Sequence, residues 1–449
     1  MTRSLRDPSI LVRRPAPPTR QLPASLPQML RCLDPSANIA LPIRPGGSKS
    51  STTDCAQATH GTELSMLGLN RIKHIDTYNH VVTAECGVRI GELVAALADE
   101  GLELCGSHDQ TQRTLGGAIS SPCIGVGIGN SSSLLSGQLA GLKAITASGK
   151  VMKVEADQQN LLNAFRLSYG MLGTIVEATL NVRPISTFTA KHRKLDIDTF
   201  ATVSDRLAQG NIGMRFSLLP YMNEVYLELR HYDSTPGNSH DTPWRIKDWG
   251  ESTVLPNVFK SLNRVVPFRS ARYKLIDKIS SATHNFVSSK FVSAGNNVSA
   301  GGRHQRKKSA NLLESTWCFP ASDFSVVVQA YAKFCRESFA QTAYRCDMPA
   351  YGFRIAQDNS ALLSPAFDEP VFALQTLSTQ RKGWENFALD LSEFAENWGG
   401  TPMFHRTEAI RDGYANQMYS GRIEFFRKIR RQLDPENRLL NPYLGRYFR

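Results

Sequence analysis

No run of about eighteen apolar residues occurs in this 449-residue chain, so no membrane-spanning helix is expected. The first 21 residues carry Arg3, Arg6, Arg13, Arg14 and Arg20 against Asp7 but have no apolar core. That composition excludes a secretory signal and leaves a basic, disordered lead-in over residues 1–21, or an Arg-rich transit peptide. Eight cysteines stand singly, with no C-x-x-C and no Cys/His spacing suited to zinc, so no metal site is expected. Reduced thiols in a cytoplasmic protein are the corresponding expectation. A G-x-G begins at Gly125, but Asn130 stands where the third glycine of G-x-G-x-x-G would fall, and a poor helix opening follows. A Rossmann βαβ unit is therefore excluded.

Charge of one sign is in excess, at +12. Nucleic acid, an anionic membrane surface or an anionic cofactor could each account for it. Residues 303–308 (RHQRKK) are the densest basic run, yet no nucleic-acid-binding signature accompanies them, so nucleic acid is the weakest of the three. Across residues 260–308, basic residues mix with apolar Val265, Phe268 and Phe286; peripheral membrane contact is one reading and a solvated basic loop the other.

Glycine is concentrated instead in two places. Residues 115–129 (LGGAISSPCIGVGIG) hold five glycines and two serines, and residues 44–51 (RPGGSKSS) follow a strand-like stretch at 39–43. Such segments bring backbone N–H groups close to an anion, with hydroxyl donors beside them. Around them the patterning predicts a helix over 26–33 capped by Ser25, strands over 63–67, 71–76 and 81–85, and an amphipathic helix over 90–97. A short strand over 102–105 precedes the second glycine segment. After it come a hairpin, 139–146 with 151–155, a helix over 159–167 and a β-branched strand over 173–182.

This order of segments, with Gly170-Met-Leu-Gly-Thr-Ile-Val176, resembles the FAD-binding domain of the vanillyl-alcohol oxidase (PCMH) type. Residues 433–444 (LDPENRLLNPYL) are very similar to the tail of the aldonolactone oxidases, which include sugar-1,4-lactone and alditol oxidases. Residues 354–365 (RIAQDNSALLSP) and 399–402 (GGTP) resemble that family's substrate domain. The resemblance implies an α+β fold: a two-part PCMH-type domain over 22–186 and a cap over 187–400 with an antiparallel sheet and flanking helices. Residues 401–449 would return to the flavin. It also implies non-covalent FAD, a small-molecule substrate, and oxygen, quinone or another carrier as electron acceptor. The pyrophosphate would lie against Arg44, Pro45, Gly46, Gly47, Ser48, Lys49 and Ser50 on one side. Gly116, Gly117, Ile119, Ser120, Ser121, Cys123, Gly125 and Gly127 would line the other, with Ile175 and Asn441 near the adenine or the flavin ring.

The departures are informative. Ser48 and Lys49 occupy the positions where relatives carry a flavin-linking histidine. Cys123 stands where some relatives attach flavin through sulfur, although a plain buried thiol is the stronger reading. By analogy, its side chain restricts oxygen more than Gly or Ala would and favours a dehydrogenase. Gly352-Phe353-Arg354 replaces Glu-x-Arg, and Pro402-Met-Phe-His-Arg406 replaces Pro-His-Trp-x-Lys. Arginines stay protonated, so Arg354 and Arg406 can polarise an oxygen or hold an anion, whereas His405 has the pKa of a base, with Glu314 as the second candidate. The expected activity is oxidation of a CH–OH group of a small polyol, sugar or sugar-1,4-lactone by hydride transfer to flavin N5. The alternatives are a tailoring oxidoreductase for another small, anionic metabolite, and a basic membrane or nucleic-acid binder on a flavin-type fold.

Overall fold

A computed structural model describes residues 18–108, 110–128, 131, 133–233, 244, 246–247, 249–289, 294–296 and 312–449. Three short parallel strands, β1 (Thr19–Gln21), β2 (Ile43–Gly46) and β3 (Thr62–Ser65), form the first sheet with β3 central. Thr19–Gln21 is thus ordered strand rather than the end of a disordered lead-in, whose first 17 residues lie outside the described ones. Strand β2 also starts later than the apolar run at 39–43 suggests, because its pairing with β3 carries Arg44, Pro45 and Gly46 into the ladder. Helix α1 (Leu26–Leu33) buries Met29 and Leu33 against this half.

A five-stranded antiparallel sheet follows, built from β4 (Ile72–Asp76), β5 (Val81–Glu85), β6 (Leu139–Ile145), β7 (Val151–Val154) and β8 (Thr174–Asn181) in the order β7-β6-β8-β5-β4. The β6–β7 hairpin turns at Gly149, whose φ of +76° suits a residue without a Cβ. Helices α2 (Ile90–Asp99), α3 (Leu115–Ser120) and α4 (Gln159–Phe165) join these strands. Helix α3 departs from expectation, since its LGGAIS sequence reads as a loop. Thr114 caps it by accepting from the Gly117 N–H, and Leu115, Ala118 and Ile119 bury one face at i, i+3 and i+4. That burial overrides the low helix propensity of two glycines.

After β8 the chain enters an eight-stranded antiparallel sheet. Its strands are β9 (Thr187–Leu195), β10 (Gly213–Leu219), β11 (Glu224–Asp233), β12 (Leu313–Pro320), β13 (Ala350–Ile355), β14 (Val371–Ser378) and β15 (Thr401–Pro402), with Ala294–Asn296 at one edge. The spatial order from that edge is β9-β11-β10-β13-β14-β12-β15. Four helices accompany it: α5 (Ile197–Gln209), α6 (Leu255–Val265), α7 (Arg269–Ser289) and α8 (Phe324–Thr342). Helices α5 and α8 cover one face, where Phe200 meets Phe216 at 4.8 Å and Phe324 stacks on Phe372 at 4.2 Å. Helices α6 and α7 cover part of the other through Leu255, Phe259, Tyr273 and Ile276, packed against Tyr351 and Leu377. Residues expected to be a solvated basic loop are here two helices; residues 303–308 lie outside the described ones.

Register explains one departure from the family pattern. Gly352 pairs with Phe216, and a Cβ at Gly352 would lie 1.9 Å from the Phe216 ring. An acidic side chain has no room there, because the aromatic core fills its place. Helices α9 (Trp384–Asn397), α10 (Arg422–Leu433) and α11 (Pro442–Phe448) complete the chain. Between α10 and α11 the chain returns to the first sheet, where the Ile43 N–H donates to Arg438 O at 2.7 Å. No helix among the described residues is long and apolar enough to cross a membrane.

Candidate active site

The two glycine segments meet. Residues 44–51 run along one wall of a cavity of about 510 Å³, and Gly116, Gly117, Ser120 and Ser121 of α3 and its C-cap form the facing wall. At their closest approach a Cβ on Gly47 would sit 2.1 Å from Thr114 Oγ1, so only glycine lets the loop come this near. Tyr169, Gly170, Gly173 and Ile175 close the back, and His405 reaches in from the far half of the chain. Of the residues expected at a cofactor, Ile119, Cys123, Gly125, Gly127 and Asn441 do not line this cavity. Ile119 and Cys123 are fully buried in the core, and Gly125–Gly127 pairs with Gly106–His108. Asn441 sits behind the first loop; its amide donates to the carbonyls of Asp54, Cys55 and Gln57, while its Oδ1 caps α11 through the Leu444 N–H.

Two buried arginines hold the walls in place. Arg44 donates to the carbonyls of Leu439 (2.6 Å), Cys55 (2.9 Å), Tyr169 (2.5 Å) and Gly170 (3.4 Å), so its guanidinium is a clamp on three backbone segments. Burial pushes its pKa down to about 10, still far above neutrality. Arg113, which sequence reasoning missed, donates to Gly117 O, Ser121 O and Oγ, and Pro122 O. Nothing local marks it, because most of its partners are main-chain carbonyls. Thr114 was findable as an N-cap before an apolar i, i+3, i+4 pattern. Glu63 of β3 also lines the cavity and pairs with Lys49 at 2.8 Å.

The candidate oxidation corner lies where the 403–406 turn meets the first loop; His405 O accepts from the Thr52 N–H and from Ser51 Oγ. Arg406 pairs with Glu314 at 2.5 Å, and Glu314 also accepts from Gln375 Nε2 and Thr316 Oγ1. His405 is buried, and its Nδ1 has no hydrogen-bond partner among the described residues. Arg354 does not join this group. Glu314 shares a sheet face with Gln375 and Tyr351, whereas Arg354 alternates with Gly352 onto the opposite face and donates to Ala208 O of α5 at 2.6 Å. The paired-arginine anion site suggested by the sequence is therefore not assembled.

Comparison with known proteins fits this geometry. Residues 21–155 match an FAD binding domain, and residues 178–447, more than half of the chain, match D-arabinono-1,4-lactone oxidase. The chain belongs to the D-arabinono-1,4-lactone oxidase family. It is similar to L-gulono-1,4-lactone dehydrogenase of Mycobacterium tuberculosis, 22% identical over 415 residues that cover 90% of each chain. It is also similar to L-gulonolactone oxidase of Mus musculus, 23% identical over 90% of this chain and 88% of that one. Cholesterol oxidase from Brevibacterium sterolicum shares the fold, with a TM-score of 0.74 at 12% identity over 96% of this chain and 94% of that one. Members of this family are FAD-dependent oxidoreductases, and so is this protein; its α+β architecture is the one the sequence resemblance implied.

The residues present suit FAD. The cavity has the volume of a small-molecule site, its glycines permit close backbone approach, and Ser48, Ser50, Ser120 and Ser121 supply hydroxyl donors. His405 contributes to its wall, and the Nδ1 of that ring is buried without a hydrogen-bond partner among the described residues.

Two buried histidines give the family member an acid-side weakness. Burial, with Arg113 and Arg406 nearby, holds His405 well below the ordinary histidine value. His284 of α7, stacked on Tyr226 at 5.1 Å, is pushed down to about 4 by burial; Glu251 and Glu224 pull against this, while Arg215 and Lys247 reinforce it. Unfolded, both take up protons below about pH 6.5; folded, they resist until lower pH. Stability is thus full above that value and falls as pH drops towards 4. At pH 5, His284 alone lowers stability by about 2 kcal/mol relative to pH 7. Thermal melts from pH 8 to 4.5 test this: His284→Phe should flatten part of the decline, and an unchanged slope would contradict it.

Proposed function

We propose that the protein oxidises a CH–OH group of a sugar-1,4-lactone or a related small polyol. FAD, when bound, supplies the two-electron oxidant, taking hydride at N5. His405, a wall residue of the cavity whose buried Nδ1 has no hydrogen-bond partner among the described residues, carries the reading. Its lowered pKa keeps the imidazole neutral at pH 7, so in the tautomer protonated at Nε2 the Nδ1 lone pair accepts the hydroxyl proton as the carbon loses hydride. Arg406, fixed by Glu314, which Gln375 braces in turn, orients ring hydroxyls, since these groups offer both donors and acceptors to a polyhydroxylated ligand. FAD is held without a covalent link, because Ser48 and Lys49 replace the histidine that would form one. A reducing, cytoplasmic location suits eight cysteines of which none is disulfide-bonded.

The test is anaerobic reduction of the purified yellow protein by L-gulono-, L-galactono- and D-arabinono-1,4-lactone and by alditols. Bleaching near 450 nm by at least one of them, and flavin released into the supernatant by acid, is the expected result. No bleaching by any of them would defeat the substrate assignment, and flavin retained in the pellet would defeat non-covalent binding. Reoxidation by air or only by a quinone then separates oxidase from dehydrogenase.

A further inference from the structure

The α6–α7 hairpin presents a feature that neither cofactor binding nor catalysis uses. The two helices pack on each other and on the sheet through Leu255, Phe259, Tyr273 and Ile276, and residues 266–268 connect them. Val265 and Phe268, at that turn, are each 76% exposed, and Leu275 one turn into α7 is 40% exposed. Arg264, Arg269 and Lys274 are exposed around them. Folding leaves large apolar side chains outside the core here while burying their neighbours at 255, 259, 273 and 276.

The charge around the tip is one-sided. Residues 252–276 contain five cations (Lys260, Arg264, Arg269, Arg272 and Lys274) and no Asp or Glu. The next acid, Asp277, is neutralised by Arg345. Arg272 folds back, lying over the Tyr273 ring at 5.2 Å and donating to Val266 O, which braces the turn.

We propose that this hairpin tip is a monotopic anchor that inserts Val265 and Phe268 into the interface of an anionic lipid bilayer, with Arg264, Arg269 and Lys274 on the headgroups. A convex apolar tip ringed by cations matches a deformable anionic surface: the side chains enter the acyl boundary while the cations stay at phosphate level. A protein partner would instead need a groove shaped to the tip. No membrane-spanning helix is required, and a docked enzyme would meet lipid-soluble electron carriers where they reside.

The experiment is sedimentation of the full-length, FAD-loaded protein with phosphatidylcholine vesicles, with and without about 30 mol% phosphatidylglycerol. Binding to the anionic vesicles should be at least tenfold tighter than to the neutral ones. Val265→Ser combined with Phe268→Ser should weaken it about tenfold or more, with flavin content and turnover in solution unchanged. Arg264→Gln, Arg269→Gln and Lys274→Gln together should abolish the lipid preference. The Phe268→Trp variant should show a blue-shifted emission only with anionic vesicles. Wild-type protein that stays in the supernatant, a serine variant that binds like wild type, or an indole emission at the tip that does not move would overturn the anchor. So would a dimer broken by the serine variant in protein that ignores vesicles, since the tip would then be a contact between copies of the chain.

Discussion

Replacing Arg44 with alanine is expected to lower stability by about 3–5 kcal/mol and to cost the protein its flavin. The guanidinium donates to the carbonyls of Leu439, Cys55, Tyr169 and Gly170, and all four would lose that donor, although Cys55 O keeps the Asn441 amide. Lysine is not a rescue. A compact ammonium cannot reproduce a planar fork whose two terminal nitrogens reach four oxygens, so Arg44→Lys should recover less than half of the loss. Thermal melting with flavin release as a second readout checks both. A variant that melts like wild type yet loses FAD would reassign Arg44 from clamp to direct cofactor ligand.

Glu314→Gln is expected to lower kcat/KM about 100- to 1000-fold while FAD stays bound. The carboxylate sits between Arg406, Gln375 and Thr316, and losing its charge frees the Arg406 guanidinium in a nearly water-excluded corner. Arg406→Gln should cost a similar factor. The double variant should lose little more than either single one, because the pair acts as a unit. Arg354→Gln gives the contrast: on the other sheet face, it should lower stability and leave kcat/KM within a few-fold. Additive losses at Glu314 and Arg406, or a collapse of kcat/KM at Arg354, would displace the proposed corner.

Local patterning was readable wherever local forces decide the structure. Helix α1, the β6–β7 hairpin around Gly149 and the β-branched strand β8 follow from periodicity and a turn glycine. Helix α3 was missed, because its two glycines argue against a helix and outweigh the Thr114 cap signal; burial of Leu115, Ala118 and Ile119 decides it. Arg354 and Arg406 looked like a pair of anion-holding cations in the chain, but the face that Arg354 takes depends on which residue of β14 its strand meets. Arg44 was legible as a cavity residue but not as a clamp, and Arg113 not at all, since most of their partners are main-chain oxygens that every sequence possesses. The first glycine segment, by contrast, lines the cavity along its whole expected length from Arg44 to Ser50.

The return of the chain end to its beginning carries a consequence for biosynthesis. Arg438 O receives the Ile43 N–H, Leu439 O receives Arg44, and the Asn441 amide braces Asp54 to Gln57. Each of these closures joins residues nearly 400 positions apart, as with the 395 between Arg44 and Leu439. On a ribosome the cradle's front wall emerges early but lacks its rear supports until residues 438–441 appear, so a chain stalled short of Leu439 would display an open, cofactor-free cradle.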